Sequence, residues 1–232
     1  MSKVKVFCLP YAGGSKSIFN DWIDEYKDNA EIIPVEYSGH SSRFGEELFT
    51  DANDMAEDVF STIIAENPVN YIIYGHSMGC LISLLTALKL EERYAYPPKK
   101  VIIGGTRPPH LSGKDEKISG LPKKEFMDKF FEMDMMDPEI MDEPELLDLL
   151  YEVFYADTLV GESYKGYTGL PKLKAPMIVM TGSQDDEACE ADMREWEKYT
   201  YGHFEFKEFD AGHFFPFNCS EFQDYFAGLI AD

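Results

Sequence analysis

The sequence predicts an α/β fold, a mostly parallel sheet flanked by helices. Short runs rich in apolar and β-branched residues alternate along the chain with segments of helical periodicity. The runs are apolar at consecutive positions, as expected of strands covered on both faces. A long helix-prone stretch then interrupts the alternation before the last strands.

The runs are Val4 to Leu9, Ile32 to Tyr37, Tyr71 to Tyr74, Val101 to Gly105, Met177 to Thr181 and Phe204 to Phe209. Between the second and third, Met55, Val59, Phe60, Ile63 and Ile64 fall on one helical face. After the third, Leu81, Leu84, Leu85, Leu88 and Leu90 do the same. From about 113 to 164 no β-run occurs. Phe126, Met127, Phe130 and Phe131 share one helical spacing there, and Leu146, Leu147, Leu150 and Tyr151 another. Such an insertion predicts a helical cap over the active-site end of the sheet. With 232 residues, no internal repeat and no linker, the chain is expected to be a single domain, 1–232, carrying this cap.

A hydrophobic share of 44 % is enough for a buried core. The formal charge of -22 opposes contact with nucleic acid and with anionic membrane surfaces. The four cysteines, Cys8, Cys80, Cys189 and Cys219, show neither zinc nor redox spacing and read as thiols rather than a disulfide framework. No 18-residue apolar run is present, and Met1-Ser2-Lys3-Val4 leads into a strand rather than a signal peptide, so a cytoplasmic location is expected.

The chemistry is carried by Tyr71-Ile72-Ile73-Tyr74-Gly75-His76-Ser77-Met78-Gly79, a strand running through Gly-x-Ser-x-Gly into a helix. A sharp strand-to-helix turn holds the serine in a strained conformation and lifts its hydroxyl off the sheet. The helix that follows directs its positive dipole end at developing negative charge. This is the nucleophile elbow of the α/β-hydrolase fold, and it makes Ser77 the candidate nucleophile. A serine hydroxyl needs a base, and the base an orienting acid, in the chain order Ser, Asp or Glu, His. Of His40, His76, His110, His203 and His213, only His213 lies on a loop between the last predicted strand and the final helix. The acid belongs on the loop Thr181-Gly182-Ser183-Gln184-Asp185-Asp186-Glu187, where three adjacent carboxylates leave the spacing undecided. For the oxyanion, one backbone donor is expected from Met78, next to the nucleophile. The other is expected from Ala12 in the glycine-rich exit of the first strand, Pro10-Tyr11-Ala12-Gly13-Gly14-Ser15. Gly13-Gly14-Ser15-Lys16-Ser17 lacks the glycine that a phosphate loop needs before its lysine. With no dinucleotide fingerprint and no metal spacing, neither cofactor nor metal is expected.

With these residues in place the sequence resembles the type II, or editing, thioesterases that accompany nonribosomal peptide and polyketide synthases. The resemblance covers nearly the whole chain. It rests on Phe7-Cys8-Leu9-Pro10-Tyr11-Ala12-Gly13-Gly14, Gly75-His76-Ser77-Met78-Gly79, Arg107-Pro108-Pro109-His110, Gly182-x-x-Asp185, Trp196 and Gly212-His213-Phe214-Phe215. It implies Ser77 as nucleophile, Asp185 rather than Asp186 as acid and His213 as base. It further implies hydrolysis of acyl groups held as thioesters on the phosphopantetheine arm of acyl or peptidyl carrier proteins, the expected partners. The same fold and triad also suit a medium-chain fatty-acyl thioesterase, a general carboxylesterase, or a silent carrier-binding protein. The chain departs from the family pattern at Glu36-Tyr37-Ser38-Gly39-His40, which lacks the usual proline, and at Tyr155, where arginine is usual. Glu132-Met133-Asp134-Met135-Met136 lacks the family's glycine pair.

Two expectations concern the cap. Met127, Met133, Met135, Met136 and Met141 beside several phenylalanines suggest a deformable acyl lining. Charge is also uneven: 130–164 holds eleven acidic residues and no Lys or Arg, whereas Lys99 to Lys124 holds seven basic ones. The basic stretch, Lys123 and Lys124 in particular, is expected to receive an acidic carrier. No coiled-coil heptads are evident, so the default oligomeric state is a monomer.

Overall fold

The computed structural model describes residues 3–112, 117–133, 140, 143–165 and 169–231. Its framework is a six-stranded sheet in which every neighbouring pair is parallel, in the order β2-β1-β3-β4-β5-β6. The strands are β1 (Val4–Leu9), β2 (Ala30–Pro34), β3 (Tyr71–His76), β4 (Val101–Gly104), β5 (Met177–Gly182) and β6 (Phe204–Phe209). The helices are α1 (Asn20–Glu25), α2 (Ala52–Ala65), α3 (Met78–Arg93), α4 (Pro109–Ser112), α5 (Lys123–Glu132), α6 (Pro144–Ser163), α7 (Glu190–Arg194), α8 (Phe215–Asn218) and α9 (Ser220–Ile230).

Strand period divides the core in two. Phe7, Leu9, Ile73, Val101, Ile103 and Val179 face one way, under Met55, Val59 and Ile63 of α2 and Ile82 and Leu85 of α3. Val6, Cys8, Ile72, Tyr74, Ile102 and Met180 face the other, under Trp22 of α1 and Phe222 and Phe226 of α9. Both faces of the sheet are therefore dry, which explains the unbroken apolar runs.

The second run is displaced from its expected place. Pairing covers Ala30 to Pro34, opposite Val4 to Cys8, and stops there. Val35 and Tyr37 stay buried, but as a loop tucked beneath the exit of β1, with the Tyr37 hydroxyl donating to the Pro10 carbonyl at 3.1 Å. β1 pairs with β2 on one side and β3 on the other, so the chain reverses its winding direction between them. In open parallel sheets the crevice at the C-terminal ends of such strands is where ligands bind. The exit loops of β1 and β3 both open onto it.

Between β4 and β5 the described regular elements are the helices α4, α5 and α6. Phe126, Met127 and Phe130 of α5 are buried against Phe154 of α6, with the Phe130 and Phe154 rings 4.3 Å apart. The apolar face of the cap is thus spent on helix–helix packing. Met127 belongs to that packing, and Met135, Met136 and Met141 lie outside the described residues.

Candidate active site

Ser77 sits between the end of β3 and the first turn of α3, with φ 53° and ψ -120°. A non-glycine residue with positive φ is strained, and the surroundings enforce it here. The Ser77 N–H donates to the Gly104 carbonyl of the neighbouring strand at 2.8 Å. The two glycines of the motif are needed for space. A Cβ on Gly75 would lie 2.3 Å from the Gly79 carbonyl oxygen, and one on Gly79 would lie 2.5 Å from the Leu9 carbonyl oxygen. The elbow and the exit of β1 therefore touch backbone to backbone, a contact that no other residue type permits. Met78 is the first residue of α3, so its N–H has no partner inside the helix and faces outward at the positive end of the dipole.

His213 follows β6 on the loop before α8. Its Nδ1 lies 2.8 Å from Oδ2 of Asp185, whose other oxygen accepts the Glu187 N–H at 3.0 Å. A carboxylate at Nδ1 requires the proton on that nitrogen, leaving the lone pair on Nε2. Nε2 is buried and makes no hydrogen bond. Of the adjacent acids, Asp185 is buried on the imidazole, while Asp186 and Glu187 are exposed. His76, next to Ser77, is fully enclosed, its ring 5.1 Å from that of His213. Burial, and then the proximity of His213, drive its pKa well below the ordinary 6.5, so it stays neutral. The remaining histidines stand elsewhere: His110 contacts Tyr199 and Glu195, and His203 is exposed beside Glu205.

The β1 exit turns sharply, the Gly14 N–H returning to the Tyr11 carbonyl at 3.0 Å. Ala12 lies within that turn, beside the elbow that Gly79 presses against Leu9 and Pro10. A residue pair that the sequence did not reveal lies next to it. His40, on the loop after β2, and Asp157, on α6, are both buried, with Nε2 and Oδ2 3.0 Å apart.

A cavity of about 480 Å³ opens at Ser77. Met78, Leu81, Pro109, Ile118 and Trp196 give it apolar walls, and Asp157, Glu162 and Arg107 border it. Its volume lies in the range of small-molecule sites. The loop after β4 that forms one wall is pinned by Trp196, whose indole N–H donates to the Thr106 carbonyl at 2.8 Å. Met127 and Met133, the described methionines among those named for an acyl lining, are not among the residues that line this cavity. The apolar walls come from α3, the β4 exit, Ile118 of the cap segment and Trp196.

The basic stretch does not form one surface. Lys99 and Lys100 precede β4, about 13 Å of extended chain from the C-terminal edge where the site lies, and Lys100 Nζ instead caps α9 at the Leu229 carbonyl. Lys123 pairs with Asp148 of the acidic cap segment and lies over the Tyr151 ring, and Lys124 pairs with Asp128. Lys123 and Lys124, the residues expected to receive an acidic carrier, thus each stand against a carboxylate in the isolated chain.

Among the described residues there is no cluster of three or more His, Cys, Asp or Glu able to hold a metal, and no helix long and apolar enough to cross a membrane.

A strained serine at a strand–helix elbow and a histidine held by a buried aspartate, its ring 5.1 Å from that of His76 next to the serine, narrow the comparison to serine hydrolases, and residues 4–230 match the family model for the thioesterase domain. The chain belongs to the thioesterase family. Thioesterase PikA5 of Streptomyces venezuelae is 28 % identical over 92 % of this chain and 76 % of its own length. A probable anguibactin biosynthesis thioesterase, AngT of Vibrio anguillarum, is 27 % identical over 90 % of this chain and 84 % of its own. In structure, RedJ, a thioesterase from the prodiginine biosynthetic pathway of Streptomyces coelicolor, superposes with a TM-score of 0.88 at 26 % identity, covering 99 % of this chain and 85 % of that one. This thioesterase accordingly has the α/β-hydrolase fold and is a thioester hydrolase of the serine-hydrolase class.

Proposed function

We propose that this thioesterase is an editing enzyme of nonribosomal peptide or polyketide biosynthesis, removing mis-loaded or stalled acyl units from the phosphopantetheine arm of carrier proteins. The observation that carries the chemistry is Ser77, held at an enforced strained elbow and lining the cavity, with the His213–Asp185 pair packed against the adjoining His76. The two relatives named above and RedJ, each titled a thioesterase, two of them of named biosynthetic pathways, support the substrate class.

In this reading the His213 Nε2 lone pair takes the Ser77 proton as Oγ attacks the thioester carbonyl. Asp185 fixes the imidazole tautomer and offsets the charge it acquires. The Met78 and Ala12 N–H groups receive the oxyanion, where preorganised donors act most strongly. The pantetheine thiol leaves with the proton from His213. Water then attacks the acyl-serine, His213 again serving as base. The chain's own side chains supply every proton transfer, so the reading invokes no cofactor.

The test compares hydrolysis of an acetyl-phosphopantetheinyl carrier protein with that of free acetyl-pantetheine thioester, for the wild type and Ser77→Ala. Strong preference for the carrier, abolished by the substitution, is expected. Equal rates on both substrates would keep the triad but replace editing by general esterase activity. No hydrolysis of either by folded wild type would leave only carrier binding.

A further inference from the structure

The exit loop of β1 supplies one of the two oxyanion donors in the reading above, and it is gripped by a buried junction of three segments. Asp157 Oδ2 accepts the Gly13 N–H at 2.7 Å and also lies 3.0 Å from His40 Nε2. His40 Nδ1 is in turn 3.0 Å from the Ser38 carbonyl oxygen. One α6 turn before Asp157, Phe154 covers the same glycine. A Cβ on Gly13, whose φ is +73°, would fall 2.2 Å from Phe154 Cε1. Residues three apart share a helix face, so α6 sets a ring and a carboxylate onto a single peptide.

The hydrogen bonds fix the charge state. A carbonyl oxygen and a carboxylate oxygen can only accept, so both His40 ring nitrogens must donate and the ring is an imidazolium. Burial opposes that charge. The hydrogen bond and field of Asp157, the Ser38 carbonyl and Glu36 outweigh it and raise the His40 pKa above 6.5. Tyr37, whose ring is 5.7 Å from His40, is held neutral by burial and then by Asp157. The junction is therefore an enclosed ion pair whose anion also holds a backbone N–H.

We propose that Asp157, anchored by His40, is a positioning residue that locks the Gly13 peptide and so aims the adjacent Ala12 N–H at the oxyanion. With its own N–H taken by Asp157, Gly13 is removed as an oxyanion donor. The neighbouring Ala12 N–H makes no hydrogen bond within the protein among the described residues. Because Asp157 sits on α6, the oxyanion site is complete only while the cap is seated. This proposal rests on the roles given above to Ser77 and Ala12.

The test uses Asp157→Ala, Asp157→Asn and His40→Asn with free acetyl-pantetheine thioester, together with the affinity of a trifluoromethyl ketone analogue of that substrate, which forms a tetrahedral adduct, and of its non-hydrolysable thioether. Loss of alignment of one oxyanion donor should lower kcat of Asp157→Ala about 10- to 100-fold, less than outright removal of such a donor. KM and thioether affinity should stay within about twofold, while adduct affinity falls in step with kcat. Asp157→Asn, whose amide oxygen still accepts the Gly13 N–H, should keep at least about a third of kcat. A folded Asp157→Ala with wild-type kcat, or a loss borne by KM and the thioether alike, would overturn the proposal. If Asp157→Ala does not fold, the other two decide. Retained kcat in Asp157→Asn with a several-fold lower kcat in His40→Asn at unchanged KM supports the clamp, and the opposite order overturns it. An unaffected Asp157→Ala beside an inactive Ser77→Ala removes only the clamp. A fully active Ser77→Ala removes the site reading itself, whatever Asp157 does.

Discussion

The elbow can be tested without any substrate, by comparing Ser77→Gly with Ser77→Ala. Both remove the hydroxyl, and that hydroxyl makes no cap hydrogen bond to α3, so neither variant loses a helix cap that the other keeps. They differ only in the Cβ carried at φ 53°, ψ -120°. A side chain in so sparsely populated a region costs about 1–3 kcal/mol, and glycine escapes that cost. Glycine's greater freedom in the unfolded chain returns roughly 0.5–1 kcal/mol of it. The expected net result is that Ser77→Gly is more stable than Ser77→Ala by about 1 kcal/mol, or roughly 2–4 °C in Tm for a chain of this size. Urea denaturation of the two proteins, with equal m-values to show that the same surface is exposed, provides the free energy directly. If the alanine variant equals or exceeds the glycine variant, the elbow stores no strain, and the tight backbone contacts at Gly75 and Gly79 do not enforce it.

Three further outcomes follow from individual contacts. In Gly79→Ala the new Cβ meets the Leu9 and Pro10 carbonyl oxygens at 2.5 and 2.8 Å, so backbone must yield. We expect about 1–3 kcal/mol of destabilisation and at least a tenfold loss of turnover; an unchanged Tm would contradict the close approach. His40 has its folded pKa raised above 6.5, so the stability its charge contributes is fully present below that unfolded value and is lost as pH rises through the folded one. The stability gap between wild type and His40→Asn, from urea curves between pH 5 and 9, should therefore be widest at the acid end and close as pH rises; a flat gap would refute the imidazolium. Burial raises the pKa of Cys8 and Cys80, whereas Cys189 is exposed and Cys219 partly so. A thiol reagent should modify Cys189 and Cys219 in the native enzyme and reach Cys8 and Cys80 only after unfolding, and rapid native modification of all would contradict the packing of β1 and α3.

The strand–serine–helix elbow was legible in the sequence because it is specified locally. Gly-x-Ser-x-Gly needs only the strand before it, the helix after it and the absence of two Cβ atoms, all written within nine residues. The strands of the sheet interior were equally plain, since burial on both faces leaves Val101 to Ile103 or Ile178 to Met180 no polar option. The edge was less so. Ala30 and Glu31 pair with β1 despite weak β-propensity, while Val35 and Tyr37, which carry the stronger signal, are buried past the end of the strand, Val35 keeping one backbone bond to the Cys8 carbonyl. Apolar pattern reports burial, and burial equals strand only where the sheet itself does the covering.

The same distinction applies to the cap. The helical spacing of Phe126, Met127 and Phe130 established an apolar face but not its partner, which is Phe154 of the other cap helix rather than substrate. Blocks of like charge behaved similarly: Lys123 stands in a basic run by sequence and against Asp148 in space. His40 and Asp157 are 117 residues apart, and no local signal ties an isolated histidine after a turn to one carboxylate among eleven. Their meeting depends on where α6 comes down, which the packing of Phe154 over Gly13 decides. Glycine at 13 thus serves two ends: its positive φ turns the loop, and its missing side chain admits the ring that brings Asp157 within reach of its N–H. A turn signal at the sequence level becomes, once the cap is seated, the point at which the cap and the exit loop of β1 are joined.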